Sequence, residues 1–461
     1  MRAVRWAVPG AAVLLVLTAC ARGTGGGDGT AAPSFDPDAD VSGTLTVMGF
    51  GAGDEIGETR LERAKESMPD VDVSLIEGDL DIQAFLSAVA AGDPPDVVYA
   101  NRDQIGTFAS RGAVVPLDEC YASQEIDEDA FRDAALAQVT FGDQLYGVPE
   151  FNQVQLTMAN QSLLDAAGLT IEDVNGSDWD AVTAATTALS TSDGGTVSVI
   201  GYDSKMPEFL PLWAKANGAD LLSEDGRTAQ LDDPKVLEAL EFAVNVYDVQ
   251  GGFAGVKSAR DAADFFGSGN QFASSTLGAM PMEQWYVNVL NENSPDAPMA
   301  FDAFRTPEGE PLAYATGSAW AIPAGSANPE AACRFAASMV SFDSWMAAAQ
   351  ARADAREQEG LVFTGVLTGN EKADDEIRST LVKVTEEPWA TGVNAMYEAN
   401  DHTFALPANP ADSEFKTAWQ DAVNRVLNGQ QAPADALAQA QEEAQKALDA
   451  AWERWDGGAT D

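Results

Sequence analysis

The stretch that most constrains the fold is residues 91–118, where a short apolar segment is framed by residues that cannot be helical. Pro94 and Pro95 each push the preceding residue out of the α region, so the chain must enter this segment extended. Residues 96–99 then predict a buried strand, and a run with helical spacing follows until Gly112. Ligands bind just past such strand ends in open α/β sheets. A purely structural strand–loop–helix unit with solvated charges is the alternative.

The chain before this stretch has the same alternation. Residues 44–48 and 71–75 predict strands, and apolar side chains at helical spacing over 82–89 predict an amphipathic helix. Together with residues 114–117, predicted as a fourth strand, residues 44–117 indicate a β-α-β-α-β-α-β order. That order predicts a parallel sheet with crossover helices.

Downstream segments predict two passages between lobes. Residues 131–141 predict a helix, and two extended segments at 145–149 and 154–158 then suit a crossing from one lobe to another. Residues 311–323 predict an extended return crossing. A long amphipathic helix is predicted over 433–455, and its apolar side indicates packing on the body of the protein.

Length and charge narrow the function classes. With 461 residues the expectation is two to three domains with a large core. The formal charge of −47 comes from 26 basic and 73 acidic residues. Such a surface repels nucleic acid and anionic membranes, so no nucleic-acid partner is expected.

The N-terminus predicts export. Arg2 and Arg5 precede an apolar run, residues 7–18, that is too short to span a membrane as a mature helix. The run closes with Leu-Thr-Ala-Cys, which resembles the lipobox of bacterial lipoproteins. By that resemblance Cys20 is the lipidated mature N-terminus after removal of residues 1–19. An ordinary cleaved signal with an incidental cysteine is the alternative.

Two further cysteines, Cys120 and Cys333, leave two readings open. In an oxidising compartment they can form a disulfide, or they can be isolated buried thiols. With these two cysteines and one histidine, His402, neither a zinc site nor a Cys–His nucleophile is expected. We therefore expect no metal and no cofactor.

Several segments, taken in order, resemble the extracellular solute-binding proteins of bacterial ABC importers, in particular the family that includes maltose-binding protein. The resemblance covers about residues 43–455. The segments that carry it are 90–98 with 112–118, 142–149, 277–280 leading to Trp285, 317–323 with 328–332, and 426–437.

The resemblance implies an α/β fold of the type II periplasmic-binding-protein kind, with two discontinuous lobes joined by crossing strands around a ligand cleft. It implies hinge closure on the ligand. The expected domains are a signal peptide (1–19), a lipidated cysteine with a flexible tether (20–42), lobe 1 (43–151 and 315–365) and lobe 2 (152–314 and 366–461). The implied partners are a sugar and the permease subunits of an ABC importer. We expect a monomer, held by Cys20 at the outer face of the cytoplasmic membrane.

A sugar site needs aromatic faces for C–H surfaces and planar polar side chains for hydroxyls. Some candidates follow predicted strand ends, some lie at the crossings, and Trp285 falls where relatives place a stacking tryptophan. The alternatives for them are a solvated helix cap, hinge structure and a core tryptophan. The expected ligand-binding residues are Phe50, Asp54, Asn101, Arg102, Asp103, Glu150, Phe151, Asn152, Gln153, Trp213, Trp285, Gly317 and Ser318.

The predicted function is therefore capture of a carbohydrate, a di- or oligosaccharide, for an ABC importer. Binding of another polar solute, such as a glycerol phosphodiester, is one alternative. An extracellular glycoside-acting enzyme with two carboxylates is a second, although no nucleophile elbow or HExxH motif is present. A structural or signalling surface lipoprotein of the same fold is a third.

Overall fold

The computed structural model describes residues 35–458. The predicted signal peptide, Cys20 and most of the predicted tether lie outside the described residues. The end of the tether, residues 35–42, contacts the body of the protein. Phe35 is buried in the core of the first lobe, and Arg334 donates hydrogen bonds to the carbonyl oxygens of Pro37 and Ala39. This part of the tether is therefore docked rather than flexible.

The strands, in chain order, are β1 (Gly43–Met48), β2 (Val71–Ile76), β3 (Val97–Asn101), β4 (Thr140–Phe141), β5 (Gln144–Leu145), β6 (Val148–Gln153), β7 (Gln155–Asn160), β8 (Thr191–Asp193), β9 (Thr196–Tyr202), β10 (Leu277–Glu283), β11 (Met299–Ala303), β12 (Ala313–Tyr314), β13 (Thr316–Ala321) and β14 (Thr403–Phe404).

The α-helices are α1 (Glu55–Ser67), α2 (Ile82–Ala91), α3 (Ile105–Ser110), α4 (Asp118–Ser123), α5 (Asp133–Ala137), α6 (Gln161–Ala167), α7 (Trp179–Leu189), α8 (Leu210–Ala216), α9 (Pro234–Asp248), α10 (Phe253–Asp261), α11 (Trp285–Asn293), α12 (Pro329–Val340), α13 (Phe342–Glu359), α14 (Glu371–Thr380), α15 (Trp389–Asp401), α16 (Asp412–Leu427) and α17 (Pro433–Gly458). Short 3-10 turns cover Arg102–Gln104, Glu128–Ala130 and Ile171–Asp173.

The first lobe is built on a five-stranded sheet with the order β2-β1-β3-β13-β6. The pairs β1–β2 and β1–β3 are parallel, as the crossover helices require, whereas β13 runs antiparallel to both β3 and β6. Its core contains the inward side chains of these strands and of α12, among them Val47, Val98, Trp320 and Phe335.

The second lobe is built on another five-stranded sheet, with the order β11-β7-β10-β9-β8. Strand β7 is antiparallel to β10 and β11, and β9 is parallel to β10. Helices α16 and α17 pack into its core through residues such as Trp419 and Leu448. The predicted fold class, two α/β lobes that are each discontinuous in sequence, is confirmed.

The chain passes between the sheets where two strands follow each other directly. Strand β6 ends in the first sheet at Gln153, and β7 begins in the second sheet at Gln155. The return occurs between β12 and β13. The predicted boundary between residues 151 and 152 falls inside β6, because this strand continues past its proline; the other lobe boundaries stay predictions.

Two local predictions are wrong. Residues 114–117 form no strand, and only Val114 makes an isolated bridge, to Pro323; Pro116 has no N–H to donate to a ladder. Residues 131–141 are not one helix. The short helix α5 gives way to the β4–β5 hairpin, whose turn at Gly142 and Asp143 has positive φ at both residues.

The extended segment around Pro94 and Pro95 is anchored by Asp96. Its buried carboxylate accepts hydrogen bonds from the backbone N–H of Thr46 at 2.8 Å and of Ala327 and Asn328 at 3.0 and 3.1 Å. Charge-assisted bonds of this kind are among the stronger ones in proteins. Asp96 therefore ties the entry of β3 to β1 and to the loop before α12.

Cys120 on α4 and Cys333 on α12 are joined by a disulfide, with their Cα atoms 5.8 Å apart. Both residues are completely buried in the first lobe. Of the two alternatives that the sequence left open, the structure contains the paired one. No helix among residues 35–458 combines the length and the apolar character that crossing a bilayer requires.

Candidate ligand-binding site

A cleft lies between the lobes at the carboxyl ends of β3 and β10, where open α/β sheets bind ligands. It contains two chambers that share one lining residue, Gln153 at the end of β6. The charged chamber has a volume of about 180 Å³ and is lined by residues that include Asn101, Asp103, Gln155, Glu208, Glu283, Gly317, Lys416 and Gln420. The aromatic chamber has a volume of about 360 Å³ and is lined by residues that include Asp54, Tyr99, Phe151, Asn152, Trp285, Asn288, Ser318 and Arg352.

The charged chamber holds more carboxylates than cations. Asp103, just after β3, forms an ion pair with Lys416 of α16, and the Oδ2–Nζ distance is 2.5 Å. Glu208 and Glu283 line the second-lobe side. Burial raises the pKa of Glu283, and the nearby carboxylate of Glu208 adds to this effect. Hydrogen-bond acceptors therefore dominate this chamber.

The aromatic chamber combines ring faces with polar edges. Phe151 is held in place by an edge-to-face contact with Trp345, with ring centroids 5.2 Å apart. Burial raises the pKa of Tyr99 well above its usual value, and the Glu150 carboxylate contributes, so its phenol stays a neutral hydrogen-bonding group. Arg352 closes one side of the chamber through an ion pair with Asp54 at 2.7 Å.

Trp285 begins α11, directly after β10. The indole is partly exposed and lines the aromatic chamber. Its ring lies nearly parallel to that of Phe266, with an angle of 16° between the planes and 6.1 Å between the centroids. Trp285 is therefore a half-buried aromatic residue that packs against the edge of the second-lobe core and lines the cleft.

The structure brings most of the predicted site residues to the cleft but divides them between the chambers. Asn101 and Asp103 line the charged chamber, whereas Trp285 lines the aromatic one. Trp285 is thus not directly opposite Asn101 and Asp103. The predicted residues that line the cleft are Asp54, Asn101, Asp103, Phe151, Asn152, Gln153, Trp285, Gly317 and Ser318; their contact with a ligand stays a prediction.

Arg102 differs from the prediction because it is completely buried and its guanidinium makes four hydrogen bonds within the protein. Its guanidinium donates to Gln138 Oε1 at 2.9 Å, to Asn152 Oδ1 at 2.7 Å, and to the carbonyl oxygens of Phe151 and Thr316 at 2.8 and 2.6 Å. Burial lowers the pKa of Arg102 to about 10, so it remains charged at neutral pH. Arg102 therefore connects the end of β6 to the start of β13 through hydrogen bonds and does not extend into the cleft.

Glu150 also serves the structure and not the cleft. It is fully buried and pairs with Arg60, whose guanidinium lies 4.0 Å from the centre of the Trp345 ring. A buried carboxylate needs such a partner, because an isolated charge in the core is costly. Glu150 was predicted as a ligand-binding residue because the residues that follow it on β6, Phe151 and Asn152, do line the cleft.

Two aromatic predictions lie in the cores. Phe50 is 4% exposed and packs on Tyr99 and Trp320, with ring centroids 5.5 and 5.1 Å apart. Trp213 is fully buried in the second lobe and donates its Nε1–H to the carbonyl oxygen of Ser204 at 3.0 Å. Each is an aromatic residue that comes after a strand. Such a residue can line a cleft or pack in a core, so the sequence alone could not distinguish the two positions.

Gly317 has a specific backbone role. Its φ is +150°, and a Cβ at this position would come within 2.0 Å of the Phe151 carbonyl oxygen and 3.0 Å of the Arg102 guanidinium. Glycine is therefore required for the close approach of β13 to β6. The same absence of a side chain leaves the backbone open to the charged chamber.

Sequence reasoning missed the cleft residues that arrive from distant helices. Lys416 lies on α16 and Arg352 on α13, far along the chain from the strand ends that they face. Glu208 follows a cis Met206–Pro207 peptide bond. No local pattern marks these positions, since each depends on how a helix or loop packs against elements that are distant in the sequence. Between residues 35 and 458 no grouping of three His, Cys, Asp or Glu side chains suits a metal ion.

Comparison with known families agrees with this architecture. Residues 62–352 match the bacterial extracellular solute-binding protein family. The chain belongs to that family. Membership places this solute-binding protein in the extracellular or periplasmic space. No curated protein matches its sequence significantly.

Solved structures share the fold of this solute-binding protein. CpMnBP1 with mannobiose bound has a TM-score of 0.68 at 22% identity, and the match covers 88% of this chain and 100% of that one. The ABC substrate-binding protein Lmo0181 from Listeria monocytogenes, in complex with cycloalternan, has a TM-score of 0.69 at 18% identity, covering 89% and 100%. Maltose-bound MalE3 from T. maritima has a TM-score of 0.65 at 18% identity, covering 88% and 100%.

Proposed function

We propose that this solute-binding protein captures a carbohydrate, a di- or oligosaccharide, between its lobes and delivers it to the permease subunits of an ABC importer. The observation that carries the proposal is the paired chamber arrangement, in which aromatic faces and planar polar side chains line two chambers that adjoin at Gln153. The fold is shared with proteins whose structures contain mannobiose, cycloalternan and maltose.

The lining suits the two sides of a sugar ring. A pyranose presents a C–H face, which packs on aromatic rings such as Trp285 and Tyr99. Its hydroxyl groups donate to carboxylates and exchange hydrogen bonds with amides, such as Asp103 and Gln153. Two chambers in succession give room for more than one ring, which favours a disaccharide or a longer chain over a monosaccharide.

The charge of the cleft argues against a phosphodiester ligand. Its lining cations are Lys416 and Arg352, and each already forms an ion pair with a cleft carboxylate, Asp103 and Asp54 respectively. Glu208 and Glu283 add negative charge. An anionic ligand would meet repulsion, whereas a neutral sugar would not.

The cleft is proposed to bind without turnover. The half-buried acid Glu283 and its neighbour Glu208 both line the second-lobe side of the charged chamber, and the ligand they contact would be released intact through reopening of the lobes. The protein is proposed to act as a monomer that is held at the membrane by lipidated Cys20, which lies within the predicted N-terminal lipobox. Mass spectrometry of the mature N-terminus tests the lipidation.

A thermal-shift screen against mono-, di- and oligosaccharides, with the anionic glycerophosphoglycerol as the phosphodiester, tests the function. A ligand that binds only the native state raises the melting temperature. We expect di- or oligosaccharides to raise it and glycerophosphoglycerol to leave it unchanged. Incubation products are checked by chromatography; released monosaccharide would indicate an enzyme, and a shift with the phosphodiester alone would overturn the sugar assignment.

Trp285→Ala sharpens this test. We expect it to weaken sugar binding about tenfold while the melting temperature of the unliganded protein changes little, because the indole is partly exposed. Trp179→Ala is the matched control. Trp179 is also half-buried in the second lobe, but it stacks on Phe242 with 4.3 Å between ring centroids and lies outside the cleft lining. Equal affinity losses in the two variants would remove Trp285 from the site.

A further inference from the structure

Phe266 is the most exposed of the large apolar side chains between residues 35 and 458, at 63% of its surface. Soluble proteins tolerate single exposed apolar residues, so exposure alone decides nothing. The position of Phe266 does, because its ring is nearly parallel to that of Trp285, which lines the aromatic chamber. An exposed aromatic side chain thus adjoins the tryptophan that lines the aromatic chamber.

Contacts of neighbouring residues fix the loop that carries Phe266. The neighbouring Phe265 ring stacks on Tyr286, with 4.3 Å between centroids and 11° between planes, and Tyr286 donates its O–H to the Phe265 carbonyl oxygen at 2.8 Å. Asn270, which is fully buried, donates to the Gly267 carbonyl oxygen at 3.0 Å. The exposed ring is therefore carried by an anchored loop, so the loop loses less conformational entropy when a ligand binds.

We infer that Phe266 is an outer stacking position for the ligand, one that takes a sugar ring beyond those enclosed by the two chambers. This inference rests on the proposed function and names its substrate class as an oligosaccharide that extends out of the cleft past Trp285. The C–H face of an additional pyranose packs on the Phe266 ring. The exposed carboxylate of Asp264, two residues away, is an acceptor for its hydroxyl groups.

A permease contact is the competing role for an exposed aromatic side chain at a cleft. The contact between Phe266 and Trp285 favours a sugar, because a ligand that leaves the aromatic chamber past Trp285 next meets the exposed Phe266 side chain. A protein partner would not require this contact with the inner tryptophan.

Calorimetric titration with two ladders, malto-oligosaccharides and β-1,4-manno-oligosaccharides of two to six units, tests the inference. For the wild-type protein we expect affinity to rise with length in one ladder. Phe266→Ala should leave the shortest bound member unchanged and weaken the longer ones about 3- to 10-fold. Phe342→Ala is the matched control, since Phe342 is also exposed, at 42%, but lines no part of the cleft.

The outcomes separate the inference from the function beneath it. Affinity that does not change with length, or equal losses for short and long members in Phe266→Ala, would overturn the outer position and leave sugar capture intact. Unchanged binding in Phe266→Ala with reduced stimulation of the importer ATPase would assign the residue to the permease contact and also overturn it. Failure of both ladders and of the wider sugar screen to bind the wild-type protein would overturn the proposed function itself.

Discussion

Lys416 and Asp103 form an ion pair across the cleft, with 2.5 Å between Nζ and Oδ2. Lys416 belongs to α16, which packs in the second lobe, and Asp103 follows β3 of the first. A second ion pair between the lobes joins Arg356 of α13 to Glu292 of α11 at 2.9 Å. The arrangement of the lobes in this structure is therefore supported by charges as well as by the crossing strands.

Lys416→Met should shift the unliganded protein toward a more open form. The pair is partly exposed, so its loss is worth about 0.3 to 1 kcal/mol, or a change of about two- to fivefold in the ratio of closed to open molecules. Small-angle scattering of the unliganded protein should show a larger radius of gyration. With saturating sugar, the scattering curve of the variant should match that of the sugar-bound wild-type protein.

The control for this variant is Lys257→Met, because Lys257 pairs with Asp261 within one helix, α10, and cannot bridge the lobes. Its scattering curve should match that of the wild type. Indistinguishable curves for Lys416→Met and Lys257→Met would show that the pair with Asp103 does not bias closure.

Arg102→Met should destabilise the protein by about 3 to 5 kcal/mol, because it leaves buried acceptors of Gln138, Asn152 and two carbonyl groups without their charged donor. Urea unfolding followed by circular dichroism measures the loss. Arg111→Met is the control; Arg111 is exposed, pairs with Glu414, and should cost less than about 1 kcal/mol. Similar losses in both variants would contradict the connecting role of Arg102.

The buried carboxyl of Asp203 should make stability fall in acid. Burial alone would raise the pKa of Asp203, but Arg260, Lys205 and a hydrogen bond from Tyr247 outweigh it and hold the pKa below the usual 3.8. A lowered native pKa contributes stability that is present above the unfolded value and is lost as pH falls through the native one.

Asp203→Asn keeps the shape of this side chain but not its charge. At pH 6 the variant should be about 1 to 3 kcal/mol less stable than the wild type, and the difference should shrink as pH falls below 3.8. Thermal unfolding between pH 3 and 6 measures the stability difference and its dependence on pH. Asp232→Asn is the control, because Asp232 is exposed. A difference that stays constant across this range would refute the electrostatic account.

Removal of the Cys120–Cys333 disulfide should lower the free energy of unfolding by about 2 to 5 kcal/mol. The bond closes a loop with a sequence separation of 213 residues, so the unfolded chain gains much freedom without it. The double variant Cys120→Ala/Cys333→Ala, unfolded in urea, measures the change. Two free thiols titrated in the unreduced, denatured wild-type protein would contradict the pairing.

The sequence was sufficient for the parts of the fold that rest on local chemistry. Pro94 and Pro95 exclude helix, and the short apolar run after them favours a buried strand, so β3 and the position of its carboxyl end at the cleft were predictable. Strands β1 and β2 and helix α2 follow from periodicity in the same way. The order of the family-like segments then supplied the two-lobed arrangement.

What escaped prediction depends on tertiary packing. Asn101 and Arg102 are adjacent at the end of β3, yet Arg102 is fully buried and Asn101 lines the cleft. Trp213 and Trp285 both follow apolar strands, and only the docking of helices decides which one is covered. Lys416 reaches the cleft from a helix more than 300 residues after Asp103, its partner. Such choices are made by the whole fold and leave no local signal.

The end of α17 has a consequence for how cleft motion can be observed. Trp452 and Trp455 lie at the far end of a helix anchored in the second lobe, yet both contact Phe141 of the first, with ring centroids 5.3 and 4.7 Å apart. Movement of one lobe relative to the other must alter the surroundings of these indoles. Tryptophan emission will therefore report opening and closing of the lobes even for ligands that touch no tryptophan. The protein thus has an intrinsic fluorescence signal for its conformation.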